Sequence, residues 1–172
     1  MTKYVIKRPL SQKGVAQLIR KFEIMQKNVP KLEDEFTRRS LDYIEKRARF
    51  YIRKTTGKSS WYELTHTLEN SWVKDYSLKT LINNCWYSAM VEFGTGVRGS
   101  GTHPNPKNYQ YDVNGHRDNG WYFFDDEGEL HFTTGMVAHR FMYDAIQDYV
   151  IGGEYKRIFE KSFKTVMGGM LK

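Results

Sequence analysis

The sequence predicts an α+β fold: a small antiparallel sheet packed against a long N-terminal helix and a C-terminal helix, with a long Gly-rich loop set into the sheet region. Three observations predict it. Apolar residues recur at helical spacing over 11–54 and again over 141–167. Between these stretches the period shortens to strand-like runs at 72–83 and 121–133. Those runs are separated by 94–120, which holds six Gly and two Pro and is too long and irregular for an ordinary packed connection.

Taken in order, Lys3 to Arg8 is short and β-branched and is closed by Pro9, which suits an extended arm over 1–10. Val15, Leu18, Ile19, Phe22 and Met25 then share one helix face, with Ser11 placed to cap it. Pro30 restarts the helix, and Glu33, Asp34 and Glu35 favour its positive end. Over 30–54 the stripe Leu32, Phe36, Leu41, Ile44, Ala48, Tyr51 and Ile52 is apolar, and Gly57 is placed to end the helix. At about 1.5 Å per residue that helix spans roughly 37 Å. Leu68 to Ser71 reads as a helical turn, 72–76 and 78–83 as two strands joined at Ser77, and Trp86 to Val91 as a short helix. Residues 121–133 read as a hairpin with Gly128 at the left-handed turn position. The last helix, 141–167, turns Met142, Ala145, Ile146, Tyr149, Ile158, Phe159, Phe163 and Val166 to a core and bends at Gly152-Gly153. The expectation is one domain over 1–172: the arm, a basic helical region (11–58), a sheet region (59–140) with a mobile loop at 97–119, and the C-terminal helix (141–172).

Composition narrows the function classes. With 172 residues and 15% aromatics the chain can build a core, and it is too short for a multidomain enzyme. No apolar run approaches 18 residues and Met1 to Tyr4 opens no secretory segment, so the expectation is a chain without a membrane span that stays where it is made. Cys85 is the single cysteine, which excludes an internal disulfide and a thiolate zinc site. The net charge of +7 conceals blocks of opposite sign. Residues 1–58 hold 16 Lys/Arg against 6 Asp/Glu, 59–150 hold 6 against 12, and 151–172 hold 5 against 2. Such a distribution suits nucleic acid, or copies of the chain meeting basic surface to acidic surface; we favour the second.

Chemical motifs are few. Gly94-Thr95-Gly96-Val97-Arg98-Gly99 has the spacing of a dinucleotide loop but lacks the flanking strand and helix, so it reads as a flexible turn. His66, His103, His116, His131 and His139 include no i, i+4 pair for a metal on one helix face. The acidic run Asp125 to Glu129 lacks the alternating ligands of a calcium loop and reads as a solvated hairpin tip. Ser59, Ser60 and Cys85 have no activating neighbours. The expectation is a protein that is not an enzyme, with no catalytic residue, cofactor or metal. On the basic helix, Arg38, Arg39, Arg47, Arg49 and Arg53 form a solvated face, with contact to DNA or to a neighbouring subunit as the functional reading.

Two segments carry a resemblance: Tyr87-Ser88-Ala89-Met90-Val91-Glu92-Phe93-Gly94-Thr95-Gly96 and Thr134-Gly135-Met136-Val137-Ala138-His139-Arg140-Phe141-Met142-Tyr143-Asp144-Ala145. Together they resemble the tail-completion or neck proteins of long-tailed bacteriophages, the gene-product-ten type of lambda-like phages. In those proteins a Val-Glu-Phe-Gly-Thr-Gly turn precedes a glycine and a Pro-Phe leading into the last helix. The order of elements agrees over about 11–165. Arg140 stands where the family often has Pro, and the loop 97–119 is long. The resemblance implies a minor tail protein of the virion, assembled in the bacterial cytoplasm and taking part in tail completion and head-tail joining. Its implied partners are copies of itself in a ring, expected to be hexameric, and the neighbouring connector, tail terminator and tail tube, with DNA in the lumen. The residues implied to matter for structure and interaction are Glu92, Phe93, Gly94, Thr95, Gly96, Gly135, Arg140 and Phe141. Glu92, following an apolar segment, is expected to be partly buried and to need a donor, either Arg140 or backbone N–H groups at the start of the last helix. The alternative reading is a small basic DNA-binding protein using the helix at 30–54.

Overall fold

A computed structural model describes residues 11–55, 66–104, 119–125 and 127–169. Helix α1 (Gln12–Lys27) starts where Ser11 accepts a hydrogen bond from the Gly14 N–H at 3.1 Å, the expected capping arrangement. One residue, Asn28, separates it from α2 (Val29–Thr55), which carries Pro30 in its first turn, where the missing N–H does no harm. Helix α3 (Thr67–Asn70), strands β1 (Trp72–Asp75) and β2 (Thr80–Asn83), and helices α4 (Ser88–Phe93) and α5 (Gly96–Gly99) follow. Strands β3 (Trp121–Phe124) and β4 (Leu130–Thr133) precede α6 (Phe141–Val150) and α7 (Glu154–Met167). The mixed α+β class with its long N-terminal helix is as the sequence predicts. The expected arm at 1–10 and the helix end at Gly57 lie outside the described residues.

Helix α2 is the organising element, with α6 and α7 packed along it. Ala48 on α2 and Ala145 on α6 are fully buried, and their small side chains let the two backbones approach. Around them Ile52, Leu68, Cys85, Val91 and Phe141 form the core, flanked by Ile44, Tyr51, Trp72 and Met142. Trp72 meets Phe141 edge to face at 6.1 Å, and Phe36 meets Phe159 likewise at 5.7 Å. The Ser40 and Tyr149 hydroxyls are 2.8 Å apart, joining α2 to α6. Asp148 of α6 accepts from Arg47 Nε at 2.7 Å and from the Tyr51 hydroxyl at 2.9 Å.

Two expectations change. The strands form two separate antiparallel ribbons, β1-β2 and β3-β4, rather than one sheet. Each is only four residues long, and the first is fastened to α2 by Lys74, whose ammonium bonds Asp42 at 2.5 Å and Glu45 at 2.7 Å. The helix over 141–167 breaks instead of bending, because Gly153 takes a left-handed φ of +77°. After that break the registers of α6 and α7 no longer share one face: Ile146 and Phe159, expected in the core, are exposed, while Phe141, Ala145 and Met167 are buried. On α1 the predicted stripe exists, but Val15, Ile19 and Phe22 face solvent.

Candidate functional site

The two segments that carry the resemblance, some forty residues apart in the chain, fold against each other into one joint. Helix α4 ends at Gly94, whose N–H bonds Met90 O at 2.9 Å and whose φ is +80°. The last carbonyls of a helix have no internal partners. Here those of Val91 and Glu92 accept from the amides of His139 at 2.9 Å and Arg140 at 3.2 Å, just before α6 begins. Thr95 and Met136 then exchange a pair of backbone hydrogen bonds at 2.9 and 3.0 Å.

Close backbone approach requires the glycines. A Cβ on Gly135 (φ +99°) would lie 1.9 Å from Thr95 O, and one on Gly94 would lie 2.7 Å from both Met136 O and Ala138 N. The expected flexible turn at Gly94 to Gly99 is therefore corrected to a packed one, with Gly94, Gly96 and Gly99 buried. Nor is it a dinucleotide loop: helix α4 precedes it where a strand is needed, and α5 has four residues.

Glu92 completes the joint. Arg140 has a left-handed φ of +53° and makes no side-chain cap for α6. Glu92, from another helix, takes that place: its Oε2 accepts from Met142 N–H at 2.8 Å and its Oε1 from Tyr143 N–H at 2.9 Å. These are the amides that a local cap would satisfy, and a carboxylate suits the positive end of the helix. Of the two donors that the sequence allows Glu92, the backbone amides are the ones used; Arg140 turns instead toward Asp144, 3.7 Å away. Phe141 is buried in the core beyond.

Sequence reading misses the contribution of the loop. The first part of the segment expected to be mobile over 97–119 is a turn of helix followed by a packed bend, and 105–118 lies outside the described residues. Thr102 Oγ1 bonds Gly99 O at 2.7 Å and accepts from Ala138 N–H at 2.9 Å. His103 is 6% exposed, with Nε2 at 3.2 Å from Glu92 Oε1. Its ring lies 4.5 Å from the Phe93 ring, so Phe93 anchors the turn through a histidine that no periodicity marks. Nearby, burial holds the His139 imidazole below its ordinary pKa, although Glu92 pulls the other way.

On the basic helix all five arginines have carboxylate partners, while Arg38 and Arg53 stay exposed, as a solvated face requires. Arg38 bonds Glu35 at 3.0 Å, and Arg39 bonds Glu35 at 2.5 Å and Thr165 at 3.2 Å. Arg47 pairs with Asp148, Arg49 bonds Glu45 at 2.8 Å, and Arg53 Nε bonds Glu69 at 2.7 Å. Hydrogen bonds from Arg39 and Arg38 hold Glu35 below the usual carboxylate range, and Arg53 does the same for Glu69. Burial alone would raise Glu45, but its bonds from Lys74 and Arg49 outweigh burial and lower it.

At the tip of β3-β4, ligand atoms of Asp125, Glu129 and His131 lie within 4.8 Å of one another. Internal bonding accounts for the group: Asp125 Oδ1 accepts from the Glu127 and Glu129 amides at 3.0 and 2.8 Å, and Oδ2 lies 2.6 Å from His131 Nε2. Gly128 takes the expected left-handed φ of +82°. Comparison with protein-family models, with curated proteins and with solved structures finds no match to this chain.

Proposed function

We propose that this protein is a structural virion protein of the neck or tail top of a long-tailed bacteriophage, a ring subunit in tail completion and head-tail joining, with no catalytic role. The observation that carries the reading is the joint: the residues quoted for the resemblance, from Glu92 to Gly96 and from Gly135 to Phe141, bond one another rather than lying scattered. Such a joint fixes where the variable loop leaves the body, which suits a subunit that presents loops to successive neighbours. Exposed apolar side chains on α1 and on β3-β4 fit a chain that completes its surface by assembly. The DNA-binding alternative draws less support, because all five arginines proposed for it have carboxylate partners within the chain. Labelled antibody and electron microscopy of particles are expected to place the protein between head and tail, and particles made without it are expected to accumulate as unjoined heads and tails. Normal joined particles in its absence would overturn the reading. Tight duplex binding by the free chain, with a steep loss on adding salt, would favour the alternative.

A further inference from the structure

Among the described residues, one face of the β3-β4 ribbon is apolar and exposed. Its register pairs Tyr122 with Phe132 and Phe124 with Leu130, so the four side chains share a face, each 54% to 71% exposed. Aromatic side chains carry roughly 150–250 Å² each, so this face offers on the order of 500 Å² of apolar surface. That is as large as the largest patch on a typical monomer and short of the roughly 800 Å² that one partner gives to a stable interface. A second apolar surface stands on α1, where Val15, Ile19 and Phe22 recur at i, i+4 and i+7 and are 43% to 54% exposed.

Charge decides what each surface fits. Helix α1 carries Lys13, Arg20, Lys21 and Lys27 against the single acid Glu23. The ribbon tip carries Asp125, Glu127 and Glu129, and 121–133 holds no Lys or Arg. Pairing two ribbons or two α1 helices leaves like charges without compensation, whereas pairing α1 with a ribbon matches both the apolar stripe and the charged rim.

We propose that α1 of one copy lies across the exposed apolar face of β3-β4 of the next copy, with its basic residues against the acidic tip. Because the two surfaces differ, the contact is heterologous and repeats from copy to copy, as a ring requires. The inference rests on the proposed role as a ring subunit and assigns the surfaces by which the ring closes.

Sedimentation velocity of the full chain at on the order of 100 μM tests it. The wild type is expected to sediment as a higher oligomer. Phe22→Glu, which spoils α1, and Phe132→Glu, which spoils the ribbon, are each expected to sediment as monomers with unchanged circular dichroism; Leu130→Glu serves if Phe132→Glu does not fold. An equal mixture of the two variants is expected to give a one-to-one dimer that grows no further, since one good surface of each remains. Glu127→Lys with Glu129→Lys is expected to weaken association about tenfold at low salt. A monomeric wild type, an α1 variant that keeps the wild-type mass, a mixture that stays monomeric, or a tip reversal without effect would overturn the assignment. None of those results bears on whether the protein sits in the particle neck, which microscopy decides separately.

Discussion

Removing the Glu92 carboxylate is the sharpest perturbation of the joint. In Glu92→Ala the amides of Met142 and Tyr143 lose their acceptor, and His103 loses the neighbour 3.2 Å from its Nε2. Arg140 makes no side-chain cap, and Glu92 is 7% exposed, so water replaces the carboxylate poorly. Each unsatisfied, part-buried amide costs about 1–2 kcal/mol, and loss of a charge at a helix N-terminus adds about 0.5–1, for a total of about 3–5 kcal/mol. In a chain of this size about 1 kcal/mol shifts Tm by roughly 2–4 °C, so the melt is expected to fall by roughly 6–20 °C. Glu92→Gln keeps one acceptor oxygen and turns an NH2 toward the other amide, so about half the loss is expected. Hydrogen exchange supplies the local readout: Met142 and Tyr143 amides gain exchange while the middle of α6 stays protected. An alanine variant melting within about 2 °C of the wild type would refute the argument that Glu92 caps this helix from a distance.

Two further outcomes follow from the same joint and its surroundings. Gly135→Ala places a Cβ 1.9 Å from Thr95 O and is expected to cost about 3–5 kcal/mol, whereas Gly128→Ala, also at positive φ but with nothing within 4 Å, is expected to cost about 1–2; equal denaturation midpoints would contradict the close-approach argument. Burial depresses the His139 pKa below the ordinary 6.5, so the unfolded chain takes up the proton first and stability declines as pH falls through that value. His139→Gln is expected to flatten the denaturation profile as pH falls below the ordinary 6.5, and an unchanged slope would remove His139 as its source; the lowered Glu35, Glu45 and Glu69 act further down, their contribution being lost as pH falls through their folded values.

Much of this molecule is legible along the chain because short-range physics writes it there. Ser11, Pro30 and Gly128 mark a cap, a helix start and a turn, and each does so in the structure. The apolar stripe on α2 identifies Leu41, Ala48 and Ile52 as core because a helix of 27 residues keeps its period throughout. Glu92 is legible as a buried acid needing a donor, since an ionisable group beside Val91 and Phe93 cannot be left unpaired. The packed bend at Thr102 and His103 carries no such mark, because a single turn held by contacts to Ala138 and Glu92 has no periodicity of its own.

The sequence by itself determined α1, α2, the two hairpins and the α+β class, though not α5 or the break between α6 and α7, because each depends on residues within a few positions of one another. Only the tertiary structure decided that the hairpins stay apart, that α1 presents its stripe to solvent, and that Arg47 and Arg53 meet carboxylates of other elements. It also decided that the α4 acid caps α6, fifty residues away along the chain. Periodicity fixes which side chains share a face, but what that face meets depends on distant segments, on ions that pair across elements, and on glycines that let two backbones close to van der Waals contact.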